Sequence, residues 1–422
     1  MVASSPGWVE NDSLGGRLWT IERAFYEKRQ YMPAWIDGDR ATPQLKNLVQ
    51  QLHDSEQHGF EPARYRVGEF EQVIIPVERV PELDAKMTYA YLRYAADLLG
   101  WSSSPQQVDR NWLGDPKQDD LAARLERGVD SNTIRQSLEA LAPAHPQYRG
   151  LQVALARERR HPLGHLEQIL MNLERWRWAP RDLGDRYILV NVPAYQLQVV
   201  EGGKPALAMR VIVGRPQTRT PLFSDEMTYL VFSPYWNIPT SILRNETLPH
   251  AAKDPDYLAR NNIEVVGTSG GEVIDPEGID WSDASETKGL RLRQVPGDGN
   301  ALGLVKFVFP NPFDVYMHDT PSRQFFLRAT RALSHGCIRV ENPAALAEYL
   351  LGDQAQWTDA RIAAAMHAGT EQAVTLKKKL PVHIGYWTAW VEPDGSVTYT
   401  ADPYGFDTVH ARLRAAAGSV RS

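Results

Sequence analysis

The spacing of apolar residues changes at Pro180, and this change constrains the fold more than any other feature of the 422-residue chain. Before Pro180, apolar residues recur at helical spacing, which is typical of helices with one buried face. After Pro180, they alternate with polar residues, as in half-buried strands. A chain of this length also exceeds one compact domain. The pattern therefore predicts an α+β protein, with an all-α N-terminal domain followed by a β-rich, mostly antiparallel domain.

The first half of the chain is predicted to be a helical scaffold over residues 21–180 without catalytic residues. Thr42 and Pro43 form an N-cap and first turn for a helix that ends near Gly59. A second apolar repeat begins at Met87 and ends at Gly100. Residues 1–20 are polar and contain glycine, so we expect a disordered lead there.

The second half is predicted to form one β-rich domain over residues 181–407. Its clearest strands are expected at Tyr187–Val192, Gln196–Val200, Ala206–Val213 and Met227–Phe232. Residues 240–302 interrupt the strand pattern for longer than an ordinary loop does, so we expect a functional insertion there, such as a lid. Residues 408–422 are expected to be a short tail.

Composition excludes several classes of function. The net charge is -6 without a run of five like charges, so the chain lacks the basic face that nucleic acid requires. No stretch is apolar enough to insert stably in a membrane, and the N-terminus lacks a basic region followed by an apolar one. A chain trimmed at its mature N-terminus would look the same.

The only cysteine of the chain, Cys337, lies in a segment that favours nucleophilic catalysis. Ser334–Asn342 combines a thiol, an imidazole, a glycine and a guanidinium within nine positions shortly before a predicted helix. A thiolate is favoured beside an imidazolium or near a helix N-terminus. Gly336 permits an unusual backbone angle that leaves N–H groups open to an oxyanion. A lone cysteine usually packs in a hydrophobic core, and that role does not require these polar neighbours.

A cysteine nucleophile needs a base, and His318 is the best candidate. It directly follows a short predicted strand, and Asp319 offers a carbonyl or a side chain to orient the imidazole. Zinc is the alternative ligand for His318, His335 and Cys337. Because the chain has no second cysteine and no close-spaced histidine pair, we expect neither a metal nor a cofactor.

Other polar residues near Cys337 are candidates for substrate contact. Arg339 lies two positions from Cys337, where a substrate carboxylate would bind. His335 is expected either to shape the pocket or to take part in the chemistry. Trp236 and the other strand tryptophans usually pack in a core, although Trp236 is retained as a candidate ligand contact.

The segments Tyr316–Pro321 and Ser334–Asn342 together resemble the His and Ser-His-Gly-Cys signature of YkuD-type L,D-transpeptidases. Trp236–Ile242 and Gly385–Val391 resemble the large YcbB-type class, and the likeness extends over roughly residues 25–407. The resemblance implies that residues 240–302 form the capping subdomain of this class. It also implies a cysteine-dependent acyltransferase that acts on peptidoglycan in the periplasm.

Site residues follow from the resemblance position by position. Cys337 would be the nucleophile, His318 the acid/base and the Asp319 carbonyl its orienter, with Gly336 and the Cys337 amide as oxyanion donors. A donor tetrapeptide stem would form a thioester through diaminopimelate and release D-alanine, and an amine of an acceptor stem would then complete the crosslink. Carbapenems would act as inhibitors, and we expect a monomer. The residues expected to bind substrate are Tyr316, Ser334, His335, Arg339, Trp236 and Asn342.

The chain departs from the resemblance in one respect. Larger members carry a peptidoglycan-binding helical module between the scaffold and the following helix, but here only Arg160–Leu166 separates those parts. The acceptor amine is therefore left open between diaminopimelate and another stem amine. Two alternatives also remain, an L,D-carboxypeptidase of the same fold and a non-catalytic peptidoglycan-binding scaffold.

Overall fold

The computed structural model describes residues 5–71, 76–115, 117–267 and 271–419. The chain divides into two compact units. One holds the residues up to Asp182 together with those from Tyr386 onward, and the other is Leu183–Gly385. The first unit is mainly helical and the second is built on a large sheet. The predicted fold class is therefore confirmed.

The helices of the first unit follow the predicted apolar spacing. Thr42 caps the second helix through its side chain, and Gly59 and Gly100 adopt φ values of 81° and 77° where helical segments end. No helix in the described ranges is both long and apolar enough to cross a membrane. The helices are Ser13–Lys28, Pro43–Asp54, Val80–Leu98, Leu121–Asp130, Ile134–Glu139, Pro146–Arg160, Leu166–Trp178 and Phe406–Ser419.

The N-terminal segment is more ordered than predicted. The expected disordered lead at residues 1–20 contains the start of the helix Ser13–Lys28. The Asp12 side chain accepts a hydrogen bond of 2.6 Å from the Gly15 amide, and Leu18 is fully buried. Capping and burial of one apolar face stabilise this helix, although its sequence looked polar.

The β-rich unit ends earlier than predicted. Its boundary is Gly385 rather than residue 407, because the chain then packs against the helix Leu166–Trp178 of the first unit. Trp176 stacks on Trp387 with ring centroids 4.4 Å apart. The Thr388 amide donates a 2.9 Å hydrogen bond to Asn172. The hairpin Ala389–Val391 with Val397–Tyr399 therefore forms a separate small sheet.

The predicted tail at residues 408–422 is also corrected. The helix Phe406–Ser419 occupies most of it. His410 on this helix is buried, and its Nε2 lies 3.1 Å from a carboxylate oxygen of Glu174. An alanine-rich sequence favours a helix, and this buried contact fixes the helix to its own unit.

The second unit contains a nine-stranded sheet. Its spatial order is β7-β3-β8-β6-β5-β4-β9-β1-β2, and an additional pairing between β2 and β3 closes eight of the strands into a ring. In chain order the strands are β1 Arg186–Asn191, β2 Gln196–Glu201, β3 Lys204–Gly214, β4 Ser224–Phe232, β5 Val305–Val308, β6 Met317–His318, β7 Ala332–Ser334, β8 Ile338–Val340 and β9 Gln372–Gly385.

Most neighbours in this sheet are antiparallel, as predicted, but three pairs run parallel: β6 with β8, β7 with β3, and β9 with β1. The β6–β8 pair joins the segment that contains His318 to the segment that follows Cys337. The helices Pro343–Leu351 and Asp359–Met366 come between β8 and β9. The fold thus aligns two parts of the sequence that are 19 residues apart.

The insertion within the second unit has a sheet and a core of its own. Its four strands pair in the order Trp236–Asn237, Leu290–Gln294, Ile263–Gly267 and Val273–Ile274. Short helical segments cover Thr240–Ile242, Leu243–Thr247, Leu248–Ala251 and Tyr257–Arg260. Ile238, Ala251, Leu258, Val265 and Leu292 form the buried core. The insertion begins slightly before the predicted range of 240–302.

Candidate active site

The parallel pairing of β6 with β8 defines the candidate active site. Met317 pairs with Ile338, and both side chains are fully buried on one face of the sheet. Successive side chains of a strand point to opposite faces, so the neighbouring residues share the other face. The side chains that this register groups together are Tyr316, His318, Cys337 and Arg339.

The His318 imidazole is buried and has a defined tautomer. Its Nδ1 lies 2.5 Å from the backbone carbonyl oxygen of Asp319. A carbonyl only accepts hydrogen bonds, so Nδ1 carries the proton and Nε2 retains its lone pair. Burial and, to a smaller extent, the nearby Arg339 cation together lower the pKa of His318 to about 3. The imidazole is therefore neutral at physiological pH and suited to accept a proton.

The Asp319 side chain has a structural role instead. One oxygen accepts a 2.9 Å hydrogen bond from the Leu304 amide, and the other lies 2.7 Å from Arg323. Gly303 has a φ of 61°, and a Cβ there would clash with the Asp319 carboxylate. The backbone of Asp319, and not its carboxylate, therefore contacts the imidazole.

The Cys337 thiol is surrounded by protein on most sides but keeps partial exposure. Burial raises its pKa to about 11, although hydrogen bonds from the Tyr316 hydroxyl and backbone amide and the charge of Arg339 oppose the shift. The expectation of a thiolate stabilised by an imidazolium and a helix N-terminus is therefore wrong. His318 is neutral, and strand β8 separates Cys337 from the helix that begins at Pro343.

Ser334 and Thr220 fix the loop before Cys337. The Ser334 hydroxyl donates to the Cys337 carbonyl at 2.6 Å and accepts from the Gly336 amide at 3.2 Å. Thr220 donates a 2.7 Å hydrogen bond to the Gly336 carbonyl. Gly336 has a φ of +128°, which a side chain would disfavour. Because the Gly336 amide is already used, the Cys337 amide is the better oxyanion donor.

Arg339 places a guanidinium beside the thiol and the imidazole. Its Nε is buried and has no hydrogen-bond partner among the described residues. Burial lowers the pKa of Arg339, and the electrostatic interaction with the Cys337 thiol opposes this shift. A partly buried guanidinium with an unsatisfied N–H group favours an incoming carboxylate.

His335 contacts residues from two distant parts of the chain. Its Nε2 lies 2.7 Å from a carboxylate oxygen of Glu246, which belongs to the insertion. The Arg215 guanidinium also contacts the same nitrogen. A single imidazole nitrogen either donates or accepts, so these two contacts compete. His335 thus lies at the edge of the site and links it to the insertion.

Three residues predicted to bind substrate have other contacts. Ser334 is buried and committed to the loop. Asn342 accepts a hydrogen bond from the Ala345 amide and caps the helix Pro343–Leu351. Trp236 packs against the core of the insertion. Direct substrate contact stays a prediction for Tyr316, His335 and Arg339.

Sequence reasoning missed Arg215, Thr220 and Glu246. Each precedes His335 by at least 89 residues and lies in an unremarkable polar segment, so spacing gave no signal. Two arginines and two threonines, as in Arg215–Thr220, are common in surface loops. Among the described residues, no group of three or more His, Cys, Asp or Glu side chains could hold a metal.

Comparison with known proteins agrees with this architecture. A scaffold-domain model matches residues 22–155, and an L,D-transpeptidase catalytic-domain model matches residues 185–384. A candidate L,D-transpeptidase of Haemophilus influenzae is 30% identical over 386 residues, which cover 90% of this chain and 77% of the relative.

Two solved structures show weaker likeness. The Ldtfm-avibactam carbamoyl enzyme has a TM-score of 0.24 and 14% identity, over 49% of this chain and 50% of that chain. The L,D-transpeptidase from Mycobacterium smegmatis has a TM-score of 0.21 and 15% identity, over 47% of this chain and 58% of that chain. This chain therefore spans between half and three fifths of those structures.

Proposed function

Because the chain belongs to the L,D-transpeptidase family, we propose that Cys337 catalyses acyl transfer between peptidoglycan stem peptides in the periplasm. The observation that carries this proposal is the β6–β8 register, which groups the chain's only thiol with an imidazole on one face of the sheet. The imidazole has the tautomer that a general base needs.

In the first half-reaction, His318 Nε2 takes the thiol proton while the sulfur attacks a carbonyl of the donor tetrapeptide. This carbonyl follows the L-centre of diaminopimelate. The Cys337 amide donates a hydrogen bond to the oxyanion that forms, an interaction worth about 3 kcal/mol in related reactions. The imidazolium then returns its proton to the departing amine. Terminal D-alanine leaves, and a thioester remains on Cys337.

In the second half-reaction, an amine of an acceptor stem attacks the thioester. His318 accepts a proton from this amine and transfers it to the departing sulfur. A new amide bond crosslinks the two stems, and the neutral thiol and imidazole are restored. The protein needs no cofactor in this scheme, because the energy of the cleaved amide is retained in the thioester.

The resting pair is neutral, so ionisation is coupled to substrate binding. Burial opposes both the thiolate and the imidazolium. The Tyr316 hydroxyl already donates toward the sulfur and stabilises its ionised form. Arg339 adds a positive charge beside the thiol and provides a partner for a stem carboxylate. Tyr316 and Arg339 therefore favour the thiolate when the substrate carbonyl is bound beside the sulfur.

Purified protein incubated with tetrapeptide muropeptides tests the proposal. We expect crosslinked dimers, released D-alanine and a thioester on Cys337, all detected by mass spectrometry. Cys337→Ser should remove the dimers while retaining the melting temperature. Monomeric tripeptide without dimers would show that the protein is a hydrolase. Unchanged dimers from Cys337→Ser would contradict the catalytic assignment.

Carbapenems provide a second probe of the same nucleophile. A β-lactam carbonyl reacts with an activated thiol without an acceptor amine, so it isolates the first half-reaction. We propose that a carbapenem acylates Cys337 in one-to-one stoichiometry on the monomeric protein. Because the chain has one cysteine, the mass shift of the intact protein assigns the adduct unambiguously.

A further inference from the structure

Glu246 brings a carboxylate from the insertion to the edge of the active site. Its Oε1 lies 2.7 Å from His335 Nε2, and His335 is two residues from Cys337. About half of the Glu246 side chain, 47%, is exposed to solvent. The carboxylate therefore lies at the edge of the site and can be reached from solvent.

The insertion holds Glu246 in a defined position. The next residue, Thr247, is buried, and Ala251 lies in the core of the insertion. The strand Trp236–Asn237 precedes this helical segment and pairs with Leu290–Gln294. The carboxylate is thus presented by a folded element with its own core, which suits a recognition group.

Arg215 places a guanidinium beside the same histidine. It follows strand β3, and its amide donates a 2.9 Å hydrogen bond to the Ser334 carbonyl. Its Nε is buried and has no hydrogen-bond partner within the described ranges. A guanidinium has five N–H groups, so contact with His335 leaves donors for another acceptor.

These two groups offer opposite charges within reach of one imidazole nitrogen. Since Nε2 of His335 satisfies either Glu246 or Arg215 at a given moment, one of the two charged groups always lacks this partner. Each is therefore available to a ligand at small cost. An amino-acid head group, with one ammonium and one carboxylate, has the matching pair of charges.

We propose that Glu246 and Arg215 form a subsite for the zwitterionic amino-acid end of the stem side chain. Glu246 binds the ammonium and Arg215 binds the carboxylate, which sets the substrate relative to the Cys337 sulfur. This inference rests on the proposed function and names the part of the stem that the insertion recognises. It makes Glu246 a specificity-determining residue rather than a catalytic one.

Matched donor stems test the subsite. One donor carries the free side-chain ammonium, and a second carries the same nitrogen acetylated. The measurement is kcat/KM for D-alanine release. We expect the wild-type protein to prefer the free ammonium by about fivefold, the upper range for an exposed ion pair. Glu246→Gln should reduce this preference to near one, and rescue by Glu246→Asp should be partial.

Glu277→Gln is the matched control. Glu277 is an exposed carboxylate in the same insertion, so its variant changes the net charge equally. It should retain the full preference for the free ammonium. A third donor, in which the side-chain carboxylate is an amide, tests Arg215. Arg215→Gln should lose the preference for the carboxylate over the amide but keep the preference for the ammonium.

The outcomes separate the subsite from the chemistry. If Glu246→Gln keeps the wild-type preference, or lowers kcat/KM equally for both donors, Glu246 does not recognise the ammonium and the proposal is overturned. The same conclusion follows if the wild-type protein acylates Cys337 without discrimination. If neither stems nor a carbapenem acylate Cys337, the proposed function itself fails.

Discussion

His58 in the helical unit and His318 in the β-rich unit have similarly lowered pKa values, although the two side chains have different surroundings. Burial lowers the pKa of each to about 3, with a neighbouring arginine as the next cause. His58 Nδ1 is 2.8 Å from the Tyr148 hydroxyl, in a unit that contains no thiol. His318 shares a sheet face with the chain's only thiol.

The comparison shows that a shifted pKa reports burial and does not by itself identify a catalytic group. Arg177 donates to both the His58 carbonyl and the Tyr148 hydroxyl, so the first cluster is internally satisfied. At His318, the Nδ1 bond to a carbonyl leaves Nε2 as an acceptor. What distinguishes the active site is a proton acceptor that shares a face of the sheet with a thiol that can donate a proton.

Substitution of the two histidines gives the largest expected difference. His318→Asn should lower the rate of Cys337 acylation by about 1,000-fold or more, because a positioned base is worth roughly 10²–10⁴ in rate. Intact-protein mass spectrometry with a carbapenem measures this rate. His58→Asn should leave the rate within about twofold and lower only stability, by about 1–3 kcal/mol. A comparable loss of rate in both variants would contradict the claim that only His318 acts as the base.

A buried carboxyl in the helical unit gives a stability effect instead. Burial raises the pKa of Glu22 to about 9, and neither carboxylate oxygen has a hydrogen-bond partner among the described residues. A carboxyl whose pKa is higher in the folded state contributes stability below its unfolded value of 4.5. That contribution is lost as the pH rises toward 9.

Glu22→Met should therefore raise the free energy of unfolding at pH 8 by about 2 kcal/mol and flatten its dependence on pH. Urea unfolding at pH 5 and pH 8 measures both effects. Acylation of Cys337 should be unchanged, because Glu22 belongs to the other unit. A variant that is less stable than the wild type at pH 8 would show that ionised Glu22 has a stabilising partner.

Tyr316→Phe should have a smaller effect within the active site. It removes a hydroxyl that hydrogen-bonds the sulfur and lowers its pKa, while the ring is retained. We expect acylation to slow about tenfold and the thiol to titrate at higher pH. The pH dependence of the acylation rate separates this effect from simple repacking, which would leave the titration unchanged.

The sequence predicted the architecture where the evidence was local. Apolar spacing changes with the fold near Pro180, and Ser334–Asn342 carries the thiol and its loop in one run. The predictions failed where distant residues decide the outcome. The helix at Ser13 depends on a cap and a buried face, and the chain from Tyr386 joins the helical unit through Trp176.

The pKa values of the site residues also could not be predicted from the sequence. Neighbouring residue types suggested an ionised thiol, but burial by the sheet decides the pKa of Cys337 and His318. Burial depends on strands that are distant along the chain, so no local pattern reports it. The contact between His335 and Glu246 is hidden for the same reason, since 89 residues separate them.

The pH dependence of Cys337 alkylation tests most directly whether the resting pair is neutral. The only cysteine is labelled with iodoacetamide between pH 5 and pH 10, and the adduct is counted by intact mass. We expect a rate that rises throughout this range, because burial raises the pKa of the thiol to about 11. A plateau reached below pH 7 in the wild type, and absent in His318→Asn, would reveal a thiolate–imidazolium pair and contradict it.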